Sequence, residues 1–255
     1  MKTYVLPLIT ISIFVTSFTS LPDGGLVAHY TFDDCMAADM MGKSPGIEYG
    51  QPDCGCGVIG SAMYFDGIDD HVTFDGPIND AFGKNDFTIS FYFKTYANTT
   101  RQIFLSNREE CDYETPYLEL KHLQPCGGGP TGRVYADATE SKSKRMISVG
   151  ELPETRWRHV TYVRTGEEYI IYMNGEEVDR RKAHKGVADL TNAGPLSIAY
   201  SPCIAATAEE QRARYFPMIG AMDELRVYNR ALTGEEVLLL YQIAPVDTAE
   251  VDCAS

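Results

Sequence analysis

The chain has one tryptophan, no surplus of positive charge and no long apolar run beyond its first twenty residues. Each shortage excludes something. With 36 Asp and Glu against 22 Lys and Arg the net charge is −14, so the phosphate neutralisation on which nucleic-acid and anionic-lipid binding depend is not on offer. No segment after Thr19 could span a bilayer. Helical periodicity is missing until the last fifth of the chain, which excludes bundles and doubly wound folds. Catalytic signatures are missing too. His29, His71, His122, His159 and His184 are dispersed without ligand spacing, and no Ser stands in a Gly-x-Ser-x-Gly elbow. Cys54-Gly55-Cys56 has no second Cys or His pair at zinc spacing, and Cys126-Gly127-Gly128-Gly129-Pro130 lacks the Lys-Ser/Thr and helix of a phosphate loop.

What is present begins with an export signal. Lys2 precedes Tyr4 to Thr19, a run of apolar and small hydroxylated residues that reads as a signal peptide over residues 1–20 and is too short for a comfortable span. A secreted, periplasmic or extracellular protein is expected. The roughly 235 residues that follow suit one large domain, residues 21–245, with a polar tail over 246–255. Seven cysteines in an exported chain favour disulfides, with Cys35 pairing Cys54 or Cys56, Cys111 pairing Cys126 or Cys203, and Cys253 left as the odd one. Asn98-Thr99-Thr100 is a sequon, used only where the source glycosylates exported proteins.

Short β-forming runs fill the domain: Leu26 to Phe32, Ala62 to Phe65, His71 to Phe74, Phe87 to Thr95, Gln102 to Ser106, Tyr117 to Leu123, Arg133 to Ala138, Arg145 to Val149, Trp157 to Arg164, Tyr169 to Met173 and Leu196 to Tyr200. Gly, Pro, Asn and Asp separate them. Asn174-Gly175 between YIIYM and EEV predicts a tight hairpin, because both residues accept positive φ. From Ile219 the sequence IGAMDELRVYNRALTGEEVLLLY reads as a closing strand, a turn, and a short helix whose Thr233 and Glu236 form a capping box. About a dozen strands without intervening helices predict an all-β fold, a two-sheet antiparallel jelly-roll sandwich with one short C-terminal helix.

Four stretches in fixed order, LVAHYTFDD, AMYFDGIDDHVTF, WRHVTYVRTGEEYIIYMNGEEV and IGAMDELRVYNRALTGEEV, resemble the laminin-G-like jelly-roll family of the concanavalin A-like lectin and glucanase superfamily. The resemblance runs from Gly25 to Pro245. It implies a secreted, non-enzymatic lectin-like module for a glycan or an extracellular protein, with a purely structural adhesion domain as an alternative. It also implies a structural calcium between the N-terminal region and an acidic residue of the closing strand, which singles out Asp33 and Asp223, with Asp39 more remote. Independently, Phe65 to Asp70 gathers Asp66, Asp69 and Asp70 in one turn, where several oxygens suit a hard cation and where Asp and Gly also suit a bare turn.

One cluster carries the enzymatic alternative. Glu110, Asp112 and Glu114 have the Glu-x-Asp-x-Glu spacing with which superfamily glucanases align nucleophile and acid on one strand face. The flanking Asn107 to Glu109 and Thr115-Pro116 favour a turn instead. Sugar clefts favour exposed tryptophan, yet Trp157 lies in a core-like strand, leaving the 16 tyrosines as possible stacking residues.

Overall fold

The computed structural model describes residues 20–96, 101–123, 132–141, 144–152, 156–204 and 216–246. Residues 1–19 of the expected signal peptide, 247–255 of the tail, Asn98, Cys126 and Cys253 lie outside them. The strands are β1 (Leu26–Tyr30), β2 (Gly46–Tyr49), β3 (Asp53–Cys56), β4 (Ser61–Asp66), β5 (His71–Phe74), β6 (Phe87–Thr95) and β7 (Gln102–Ser106). They continue as β8 (Tyr117–Leu123), β9 (Gly132–Ser141), β10 (Lys144–Leu152), β11 (Arg158–Thr165), β12 (Glu168–Met173), β13 (Glu176–Lys182), β14 (Ser197–Ile198) and β15 (Ile219–Tyr228). Among the described residues one α-helix, α1 (Gly234–Gln242), follows β15.

The strands form two antiparallel sheets among the described residues. The first runs β13-β12-β11-β6-β15-β4-β3, with β1 also paired to β15; the second runs β10-β9-β8-β7-β14-β5-β2. Alternation decides which side chains meet. Along β6, Phe87, Ile89, Phe91 and Phe93 enter the core, where Phe104, Leu118, Leu120, Val134 and Ala136 of the second sheet join the same cluster. Thr88, Ser90 and Tyr92 take the opposite face. The jelly-roll sandwich expected from the strand pattern is therefore the fold, and Trp157 is buried, as its strand context indicated.

The terminal strands lie side by side, with Tyr30 opposite Leu225 and Ala28 opposite Val227. Helix α1 then folds back over the outer face of the first sheet, where Leu232, Val237 and Leu240 pack on Val163, Ile170, Tyr172 and Tyr228. Its start is the predicted capping box: Glu236 N donates to Thr233 Oγ1 at 3.2 Å and Thr233 N donates to Glu236 Oε2 at 2.9 Å. Arg230 holds Glu236 with two further bonds of 2.9 and 2.6 Å. Thr233→Ala is expected to cost about 1 kcal/mol, and Thr233→Ser to retain stability. Urea unfolding of the two variants checks this.

Candidate functional site

Three features of this fold concentrate polar chemistry, and the first lies where β1 meets β15. Asp223 sits in β15 where one extra residue interrupts the register with β6, Asp223 facing Tyr92 and Arg226 facing Ser90. Glu224 absorbs the bulge at φ 54°. Asp223 is fully buried; its Oδ2 accepts from the backbone N–H of Val58 at 2.7 Å and of Ile59 at 3.1 Å, while Oδ1 has no hydrogen-bond partner. Burial, helped by the charge of Glu224, pushes its carboxyl up to about 7, against the pull of the neighbouring backbone amides. From the other side, Asp33 Oδ1 accepts from Ser61 N at 2.9 Å. The two carboxylates thus clamp one turn, residues 57–61. Gly60 takes φ +56° there, and a Cβ would stand 1.9 Å from Asp33 Oδ1, so any side chain would displace that carboxylate from the turn. Glu224 is held differently: burial raises its carboxyl, but His29 Nε2 at 2.8 Å and Arg226 Nη2 at 2.5 Å outweigh this and keep it below its ordinary value. Asp39 caps its own loop, accepting from the N–H groups of His29, Met41, Lys43 and Ser44.

The second feature is the β4–β5 turn. Carboxylate oxygens of Asp66, Asp69 and Asp70 come within 4.8 Å of one another. Asp70, which is buried, already accepts from Gln51 N at 2.8 Å and Asp66 N at 3.0 Å, and Asp66 Oδ1 accepts from Ile68 N at 2.7 Å. Much of this cluster is therefore engaged in holding the turn. Asp66 and Asp69 are exposed.

The third lies on the outer face of the second sheet. Glu110 and Glu114 are exposed in a bend between β7 and β8, and Asp112 Oδ1 accepts from Glu114 N, Thr115 N and Thr115 Oγ1 at 2.8 to 2.9 Å. The Glu-x-Asp-x-Glu strand alignment of the glucanase alternative does not form at these residues, because proline and the Asp112 turn interrupt it. A different carboxylate pair faces across two strands: Glu119 on β8 opposite Asp137 on β9. Both are fully buried. Glu119 receives Arg108 Nε at 3.0 Å, Lys121 Nζ at 2.9 Å and Ser201 Oγ at 2.9 Å; Asp137 receives Thr139 Oγ1 at 2.9 Å, Tyr117 Oη at 3.2 Å and Lys121 Nζ at 3.4 Å. Burial raises the Glu119 carboxyl, but Lys121 and Arg108 together keep it low. A disulfide between Cys111 and Cys203 pins the bend carrying these residues.

Cys35 pairs with Cys54, one of the two expected options, and Cys56 is also disulfide-bonded. Sequence reasoning missed β2 and β3, and with β2 it missed an exposed tier in which the rings of Tyr49, His71 and Tyr200 stack. The signal for Glu119 was visible as Tyr117, Glu119 and Lys121 alternating with Leu118 and Leu120, a pattern that otherwise reads as a solvated face.

Comparison with known proteins agrees with this architecture. Residues 66–238 match the family model described as the concanavalin A-like lectin/glucanases superfamily. A curated relative, the non-toxic nonhemagglutinin type A of Clostridium botulinum, is 22% identical over 209 residues, covering 80% of this chain and 15% of its own length. The chain thus spans only a small part of that relative. Among solved structures, domain 4 of AbnA, a GH43 extracellular arabinanase from Geobacillus stearothermophilus in complex with arabinotriose, superposes with a TM-score of 0.64 at 20% identity, covering 85% of this chain and 98% of that one. The binding domain of Paraclostridial Mosquitocidal Protein 1 gives 0.62 at 14%, covering 85% and 52%. The binding domain of botulinum neurotoxin DC in complex with SialylT gives 0.63 at 10%, covering 88% and 52%. With its family match covering more than half of its length and its two sheets in place, the chain belongs to the concanavalin A-like lectin/glucanases superfamily.

Proposed function

We propose that this chain is a secreted, non-enzymatic binding module that recognises a glycan or an extracellular protein and is braced by a calcium ion at the Asp33–Asp223 clamp. The observation that carries the binding reading is the state of the Glu119–Asp137 pair. These carboxylates have the cross-strand placement that hydrolysis would use, yet they are buried and hydrogen-bonded to Arg108, Lys121, Ser201, Tyr117 and Thr139. A general acid and a nucleophile need access to a sugar. The names of the similar domains, one holding arabinotriose and one holding SialylT, support a saccharide ligand. The disulfides support an oxidising, extracytoplasmic compartment.

Calcium is supported by the chemistry of the clamp. Asp223 Oδ1 is buried without a partner, and Asp33 Oδ2 makes no hydrogen bond among the described residues, so two carboxylate oxygens stand uncommitted beside one turn. An ion there would neutralise a buried carboxylate and fix the 57–61 turn between β3 and β4. Asp66 and Asp69 are the alternative oxygens for it.

The test presents the whole chain to immobilised glycans and to extracellular proteins, in calcium and in chelator. Retention on either supports the module; failure on both leaves the structural adhesion reading. Calcium at a hundredfold excess over its Kd is expected to add about 2.7 kcal/mol of stability, seen as a raised melting temperature. Asp223→Asn should abolish that response, and an equal rise in the variant would refute the clamp as the site.

A further inference from the structure

The outer face of the second sheet ends in an aromatic tier that no packing in the fold requires. Tyr49 on edge strand β2 stands directly opposite His71 on β5, their ring centroids 4.5 Å apart and their planes within 4°. Tyr200, just after β14 on the other side of β5, stacks on His71 at 4.9 Å and 25°. The histidine therefore occupies the inner face of each tyrosine. Their outer faces remain, with Tyr49 45% and Tyr200 43% exposed. Ile47, two residues before Tyr49 on β2, and Ile68, in the β4–β5 turn three residues before His71, are 49% and 77% exposed. Burying such rings would stabilise the fold, so leaving them in water calls for an occupant.

The polar atoms around the tier narrow that occupant. His71 Nδ1 lies 2.8 Å from the carbonyl oxygen of Asp69, and since a carbonyl only accepts, Nδ1 carries the hydrogen. In the neutral ring Nε2 is then an acceptor, with no partner among the described residues. The Asp69 carboxylate, exposed in the adjoining turn, is another acceptor. Rings beside outward acceptors suit a ligand with one C–H face and a rim of hydroxyl donors, which is the build of a sugar. A protein partner of ordinary affinity needs roughly 800 Å² and 20 to 30 residues on each side, far more than five exposed side chains supply.

Charge narrows it again. Asp66, Asp69 and Asp70 gather their carboxylates within 4.8 Å of one another beside the tier, in a chain of net charge −14. Tyr49, His71, Tyr200, Ile47 and Ile68 include no lysine or arginine to receive a carboxylate or sulfate. An anion here meets like charge well inside the screening length of about 8 Å.

We infer that Tyr49, His71 and Tyr200 form a saccharide platform selective for neutral sugars over sialylated, uronate-bearing or sulfated ones. A sugar ring lays its C–H face on the outer face of a terminal tyrosine while His71 Nε2 and Asp69 accept from its hydroxyls. This rests on the glycan arm of the proposed function.

The test probes the whole chain on an array of neutral arabino-, gluco-, galacto- and manno-oligosaccharides beside sialylated, uronate-containing and sulfated ones, then titrates the strongest hit. Hits confined to neutral sugars are expected. Tyr49→Ala and Tyr200→Ala should each weaken binding about tenfold or more, with melting temperature lowered by no more than a few degrees because each loses only its stacking on His71, whereas Tyr49→Phe should retain most of the binding. Wild-type affinity in both alanine variants would overturn the platform while leaving a lectin with its site elsewhere. Preference for anionic sugars would overturn the selectivity. Binding to no glycan at all would remove the platform and the glycan arm together.

Discussion

Glu119→Ala is expected to cost the domain roughly 3–5 kcal/mol, read as a lower urea midpoint. The magnitude follows from what stays behind. Glu119 is fully buried and takes hydrogen bonds from Arg108, Lys121, Ser106 and Ser201, so its loss removes an acceptor from two cations and two hydroxyls at once. Lys121 keeps Asp137 at 3.4 Å. Arg108 does not have that recourse: its guanidinium lies 3.3 Å over the Tyr117 ring and donates to the Asp112 carbonyl, contacts that orient it without neutralising it. An uncompensated buried charge is the costly outcome, whereas exchanging a whole buried network for apolar side chains of similar volume is often close to neutral. Glu119→Leu combined with Arg108→Met removes both members of the Glu119–Arg108 pair and leaves Lys121 with Asp137, so the double variant should be less destabilised than Glu119→Ala alone. A loss below about 1 kcal/mol in the alanine variant would show that the network contributes no more than an exposed ion pair.

How much of this was legible in the sequence depends on how far each contact reaches. Phe87–Thr95, Gln102–Ser106 and Tyr117–Leu123 coincide with the expected strands, because alternating apolar residues bounded by turn formers report a half-buried sheet locally. Asp33 and Asp223 were brought to notice by a family resemblance, and the β1–β15 pairing places both beside the same turn. β2 and β3 were illegible. GIEY and DCGC are four-residue strands that bury neither face, held by Cys35–Cys54 and by pairing with β5 and β4 rather than by burial of their own. Losing β2 hid the aromatic tier, which exists only once Tyr49 is registered against His71. The Glu119 network was hidden for another reason. Alternation marks Glu119 and Lys121 as one face of a strand, but whether that face is wet is decided by the bend that Cys111 and Cys203 pin from 92 residues apart.

The last prediction concerns acid, and it isolates one histidine. His159 on β11 is fully buried, its Nε2 2.8 Å from Ser90 Oγ and its ring packed against Tyr92 and Tyr241, while Nδ1 has no hydrogen-bond partner. Burial, helped by the positive charge of Arg226, pushes its pKa down from 6.5 to about 3. Protonation would place a second N–H where no acceptor stands. Between pH 6.5 and 3 the unfolded chain therefore binds more protons at this site than the folded one, so stability falls as pH falls, by roughly 3 kcal/mol at pH 4. Asp223 works with the opposite sign. Its carboxyl, raised to about 7, holds its proton longer in the folded state and favours folding as pH drops through the same range. The two largely cancel in the intact protein, so the quantity to measure is a difference: urea stability of wild type minus that of His159→Gln at each pH from 7.5 to 4. That difference should move against the wild type by about 3 kcal/mol over the range, whatever the variant's stability at neutral pH. Parallel curves would mean that His159 accepts its proton in the folded state, and that the polar row beneath α1 is open to water.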